Sequence, residues 1–215
     1  FNPLDGGAGN LLQLDFRVSP TASGNLPIWG KTQSTLAPAS VGAGNRYVFA
    51  NQPTLTISTS FSDSKTYGTE YTFPTPTRGT NYSISGIVSA SSYQSVWTQE
   101  TLSDLGISGA PEFSSSGAAA AANVAGSPYA INIANGTLAS SAGYAFGTPS
   151  STGTLTVTPK TLTITGVTAA GKDYDGDDNA NLSGGALDGV VGSDDVEFTA
   201  GAGAFASKNV GTWVV

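Results

Sequence analysis

The chain has 215 residues, 39% hydrophobic and only 11% charged, with a net charge of −7 at pH 7 and neither His nor Cys. That composition excludes Ser-His-Asp and Cys-His catalysis, His-ligated metals, disulfides and zinc knuckles. The negative charge repels nucleic acid and anionic lipid, and no apolar run approaches the roughly 20 residues of a membrane-spanning helix.

There is no Met, so the chain is expected to be a processed product or a piece of a longer protein. Candidate strands lie at residues 12–18 and 47–50. The clearest early strand is Pro53-Thr54-Leu55-Thr56-Ile57-Ser58, whose aliphatic residues alternate with Thr at the period of two of a half-buried strand. Further strands are predicted over 71–73, 82–87, 129–133 and 144–146. One short helix is predicted over 97–105, with Thr98 as N-cap and Gly106 as its stop. The Ala-rich stretch 117–123 is too short to hold a helix unaided and reads as a loop. Residues 153–158 and 161–165 repeat the Thr/aliphatic alternation, and Pro159, which cannot donate to a ladder, separates them. Strands over 196–199 and 213–215 complete the pattern of a mostly β chain.

The Thr-Leu-Thr-Ile strands open an internal repeat. Leu55 precedes Tyr67 of Lys65-Thr66-Tyr67-Gly68 by twelve positions, and Leu162 precedes Tyr174 of Lys172-Asp173-Tyr174-Asp175-Gly176 by the same number. Asn123-Val124 then stands against Asn209-Val210. The first copy continues through Asn135-Gly136-Thr137-Leu138 and Tyr144 to a closing Thr-Leu-Thr-Val strand, whereas the second reaches Val215 without counterparts. The second repeat is therefore expected to be incomplete at its C-terminus and to present an unpaired edge. The expected architecture is tandem small β-rich domains, β-grasp-like, with an immunoglobulin-like sandwich as the alternative.

Residues 161–215 resemble the YDG-type repeat domain of large bacterial filamentous-haemagglutinin-like adhesins. The likeness rests on Lys172-Asp173-Tyr174-Asp175-Gly176, on Leu187-Asp188-Gly189-Val190-Val191-Gly192 with Asp194-Asp195-Val196, and on Lys208-Asn209-Val210-Gly211-Thr212. Residues 53–158 resemble the related MBG domain through Lys65-Thr66-Tyr67-Gly68, Asn123-Val124, Tyr129, Asn135-Gly136-Thr137-Leu138 and Thr154-Leu155-Thr156-Val157. The chain departs from these patterns at Asp177-Asp178 and at Ala125-Gly126. The resemblance implies a secreted or cell-surface protein, exported by a two-partner route, in which such domains form a stalk after an N-terminal β-helix. Residues 1–52, ending in Arg46-Tyr47-Val48-Phe49-Ala50, look like the connector after that β-helix. The implied organisation is 1–52 connector, 53–158 MBG-like domain and 159–215 YDG-like domain.

Asp173, Asp175, Asp177, Asp178 and Asn179 alternate oxygen ligands as a calcium loop would. From Asp173, however, the sixth and twelfth positions are Asp178 and Gly184, which fails the EF-hand pattern; the alternative is a solvated acidic turn. Residues 159–215 hold eight acids and three Lys, leaving seven acids over the first 158 residues, too scattered to point to a glycosidase pair. Trp29, Trp97, Trp213 and the Tyr residues are candidates for glycan stacking or for core, with Tyr67 and Tyr174 expected to pack inward. Lys65 or Lys172 beside a buried Asn would be needed for a side-chain cross-link. Asn81-Tyr82-Ser83 and Asn135-Gly136-Thr137 match glycosylation sequons, a weak signal in a bacterial protein.

No enzyme activity, cofactor, nucleic acid or membrane insertion is expected. The expected role is a structural stalk or self-associating segment of an extracellular adhesin or surface filament, in which subunits complete one another's sheets. The alternative is a module that binds an extracellular polysaccharide or host glycan.

Overall fold

The computed structural model of the chain describes residues 27–32, 34–41, 48–88, 92–93, 96–97 and 100–212. The strands expected at 12–18 and 213–215, and Tyr47 of the 47–50 strand, lie outside the described residues.

The structure is mostly β, in several small sheets. The strands are β1 (Thr54–Thr59), β2 (Asp63–Thr66), β3 (Ser83–Ser85), β4 (Ser92–Tyr93), β5 (Val96–Trp97), β6 (Ile107–Ser108), β7 (Glu112–Ser114), β8 (Tyr129–Ala130) and β9 (Asn132–Ala134). They continue with β10 (Ala139–Ser140), β11 (Ala145–Phe146), β12 (Ser150–Ser151), β13 (Thr154–Thr158), β14 (Thr163–Ala169), β15 (Asn179–Ala180), β16 (Leu182–Asp188) and β17 (Gly203–Ala204). Single 3-10 turns occur at Ser116–Ala118 and Val124–Gly126.

β1 is paired on both edges. β3 runs antiparallel on one side, with Ile57 opposite Ile84. On the other side β11 and β12 follow one another in parallel, Leu55 opposite Phe146 and Ser58 opposite Ser150. Between them Gly147 N–H still donates to the Leu55 carbonyl at 2.9 Å. A second sheet has β13 at its centre, parallel to β2 and antiparallel to β8. The alternation in the sequence turns Leu55, Ile57, Leu155 and Val157 inward, each 2% exposed or less. One core cluster gathers Trp29, Phe49, Leu55, Ile84, Leu105 and Tyr144; the other gathers Ile57, Phe113, Ile131, Ile133 and Leu155.

The second repeat is built differently. β14 pairs antiparallel with β16, and β15 with β17. Among the described residues no ladder joins these strands to earlier ones. β14 is exposed along its length except at Ala169, and Ala180 is the buried apolar residue after Val157. Two paired strands without a covering layer bury too little apolar surface to be stable alone.

Four expectations change. The described residues contain no α-helix. Where one was expected over 97–105, Trp97 belongs to β5 and residues 102–106 form turns. There Asp104 Oδ2 accepts from Thr101 N–H at 2.9 Å and from its hydroxyl at 2.6 Å, so side chains compete for the groups a helix would use. Residues 71–73 form no strand. Pro74 and Pro76 cannot extend a ladder there, and the Tyr71 and Phe73 rings pack edge-on at 5.1 Å instead. Residues 196–199 form no strand either, with Val196 44% exposed. Tyr174 is 67% exposed instead of packed inward, because no described residue of the second repeat covers it.

Candidate functional site

The repeat frame puts matching residues in different surroundings. In the first repeat Lys65 is buried in β2, and its ammonium donates to the carbonyls of Thr69 (2.8 Å) and Ala119. Burial pushes its pKa down. The Tyr67 N–H donates to Thr158 O at 2.8 Å, tying the end of β13 to this strand. In the second repeat no strand forms at Lys172, and its ammonium turns to the acidic loop. It pairs with Asp175 Oδ1 at 2.9 Å and with Asp177.

Asp177 Oδ1 also accepts from Asn179 N–H at 3.0 Å, and Asp175 Oδ1 from Asp177 N–H at 3.2 Å. Hydrogen bonding to Lys172 holds both carboxylates below their ordinary pKa and lifts that of the lysine. Of the oxygen ligands proposed for calcium, Asp175 and Asp177 thus converge on an ammonium group belonging to the loop itself. Among the described residues no three acidic side chains gather as a metal would need. Depressed folded pKa values mean this interaction is present above the unfolded carboxylate value and fades as pH falls through the folded values. Replacing Lys172 with Gln is expected to raise the Asp175 and Asp177 midpoints toward ~3.9, read by carboxyl-carbon NMR titration. Unmoved midpoints would show that the ammonium does not set them.

The other candidates are dispersed. Among the described residues the ammonium groups of Lys65 and Lys172 meet carbonyls and carboxylates, respectively, and Asn135 donates to Gly147 O at 3.1 Å. Asn81, in the first sequon, is buried and accepts from Thr77 N–H at 2.9 Å. Trp29 is core, stacked on Phe49 at 4.5 Å; Trp213 and the side chain of Trp97 lie outside the described residues.

A buried carboxylate that sequence reasoning missed sits in the same core. Glu100, 6% exposed, accepts from Trp29 Nε1 at 3.1 Å and from the Tyr144 hydroxyl at 2.5 Å. Burial raises the pKa of both Glu100 and Tyr144. Its carboxylate ties Trp29 to Tyr144 within the core.

A groove of about 180 Å³ opens in the second repeat, lined by Lys172, Tyr174, Phe205, Lys208, Asn209 and Val210 among others. Lys172, Tyr174, Asn209 and Val210 are the repeat counterparts of Lys65, Tyr67, Asn123 and Val124. In the first repeat Tyr67, Asn123 and Val124 line an open groove as well, of about 390 Å³, together with Asp194, Asp195 and Val196.

The two repeats also meet each other. Tyr67 and Asp194 line one groove, and hydrogen bonding with Asp194, then burial, raises the tyrosine's pKa. Val191 covers Gly68 so closely that a Cβ there would stand 2.5 Å from Val191 Cγ2. Gly68 has φ +88°, so a side chain at this position meets both backbone strain and the valine.

A YDG domain is found at residues 158–214, the segment carrying the Lys-Asp-Tyr-Asp-Gly and Lys-Asn-Val-Gly-Thr stretches. No curated protein and no solved structure matches the chain.

Proposed function

We propose that this chain is a structural segment of an extracellular bacterial adhesin or surface filament. In this reading it is a stalk of stacked β units, MBG-like over 53–158 and YDG-like from 159, and its second unit is completed by strands supplied from a neighbouring segment. The observation that carries this reading is the contrast between β1 and β14. β1 is flanked on both edges and buries Leu55 and Ile57 completely. Among the described residues β14 pairs with β16 alone, and Ile164 is 52% and Val167 40% exposed. Strand addition to such an edge uses main-chain hydrogen bonds and needs no catalytic or metal-binding residue. Low charge and Thr-faced strands suit a protein whose work is mechanical. The glycan-binding alternative has less support, since Tyr174 is the one strongly exposed aromatic side chain among the described residues.

Light scattering of the purified chain across concentration, with calcium and with a chelator, tests the reading. The expected result is concentration-dependent association that the chelator leaves unchanged and that Ile164→Lys with Val167→Lys abolishes, because charged edges resist pairing. A monomer at every concentration overturns the self-associating part. Association that vanishes with chelator alone overturns strand completion and transfers the role to the 173–179 turn.

A further inference from the structure

The contact between the two repeats is made by a seat on one and a turn on the other. The seat is Tyr67 with Gly68; the turn brings Val191 over the glycine and Asp194 into the groove that Tyr67 lines. The chain path explains why the turn arrives there. Tyr67 N–H holds Thr158 O, so β13 ends beside the seat and delivers the second repeat to it after Pro159-Lys160.

The second repeat carries the same seat, empty. Tyr174 is the repeat counterpart of Tyr67, and Gly176 has the same φ as Gly68, +88°. Tyr67 is half-buried, whereas Tyr174 is 67% exposed. A Cβ on Gly68 would collide with Val191; one on Gly176 would meet nothing within 4 Å. The residue inserted between tyrosine and glycine in this copy is Asp175, held by the Lys172 ammonium at 2.9 Å.

We propose that Tyr174 and Gly176 form a docking seat for a further unit of the same repeat, which presents a turn equivalent to Val191–Asp194. The incoming valine covers Gly176 and the incoming aspartate accepts from the Tyr174 hydroxyl. Each unit then offers its successor the seat its predecessor offered it, which fixes one orientation per step and makes the array directional. This inference rests on the stacked-unit reading above and names the surface through which the units stack.

The test uses nitration by tetranitromethane, mapped by mass spectrometry on the intact chain and on an in-register duplication. Because Val210 matches Val124, residues 1–210 are followed by residues 125–215, with Asp178→Glu as a mass tag in the added copy. In the chain as it stands, Tyr174 is expected to be nitrated several-fold faster than Tyr67. In the duplication the original Tyr174 should slow to the rate of Tyr67, while the added copy's equivalent stays fast. Asp194→Ala in the added copy should restore fast nitration of the original Tyr174.

If the original Tyr174 stays fast while Tyr67 is slow, the seat is unused and the inference fails, leaving the stacked-unit reading in place. Slow nitration that Asp194→Ala leaves unchanged overturns it as well, because the cover is then a completing strand and not the turn. If Tyr67 is no slower than Tyr174 in the original chain, the contact between repeats is absent and the stacked-unit reading falls too.

Discussion

Ile57→Ala is expected to lower the unfolding free energy by about 2–5 kcal/mol, while Ile164→Ala, at the same position of the second repeat, changes it by less than about 0.5 kcal/mol. Both residues sit in a Thr-Leu-Thr-Ile strand and follow the same alternation. Ile57 is fully buried against Phe113, Ile131, Ile133 and Leu155. Truncating it removes apolar contact and leaves a cavity that the flanked strand β1 cannot close by moving. Ile164 is 52% exposed on β14, so the same truncation gives up little that water did not already touch. Equilibrium urea unfolding followed by far-UV circular dichroism checks this through the shift in midpoint at constant slope. Equal losses at the two positions would mean that β14 is already covered in solution. Under conditions where the chain associates, the loss at Ile164 should rise toward that at Ile57.

Glu100→Ala is expected to cost about 2–4 kcal/mol, since it strands two buried donors, Trp29 Nε1–H and the Tyr144 hydroxyl, at about 1–3 kcal/mol each before any compensation. Glu100→Gln keeps an acceptor oxygen and removes a charge that burial disfavours, so at neutral pH it should be close to neutral or stabilising. The pH dependence separates the two effects. Burial raises the folded pKa of Glu100, so between the unfolded value of about 4.3 and the folded value the native state holds more protons. Stability from this group is therefore fully present below the unfolded pKa and is lost as pH rises through the folded one. Urea midpoints of the wild-type chain should fall relative to those of Glu100→Gln as pH increases from acid toward neutral. Parallel profiles would show that Glu100 titrates as an ordinary surface carboxylate.

The elements read most readily from sequence are those whose side chains carry their own period. β1 and β13 form strands where the Thr/aliphatic alternation runs, and β14 starts inside it at Thr163 and continues to Ala169. β2 and β16 were not anticipated. Asp63-Ser64-Lys65-Thr66 has no aliphatic residue, and Leu182–Asp188 contains Gly184 and Gly185. They are strands because β13 and β14 supply ladders for them, and a ladder supplied by a remote segment leaves no local mark. The helix expected over 97–105 failed for a local reason, the Thr101–Asp104 turn, that propensity alone underweights.

The candidate sites divide in the same way. The acidic run 173–179 is visible in sequence, and the i,i+3 spacing of Lys172 and Asp175 was a signal that the loop carries its own counter-ion. Glu100 gave no such signal, because its partners Trp29 and Tyr144 lie 71 and 44 residues away.

Sequence by itself determined the strand-rich class and the chemistry that absent His and Cys rule out, because composition and period are local properties of the chain. Only the tertiary structure decided that Ile57 is core and Ile164 surface, that Lys65 caps carbonyls while Lys172 neutralises aspartates, and that Tyr67 is seated while Tyr174 is bare. Equal residues at equal repeat positions acquire different energies because burial is set by what lies opposite, and that neighbour is a remote segment in one repeat and solvent in the other.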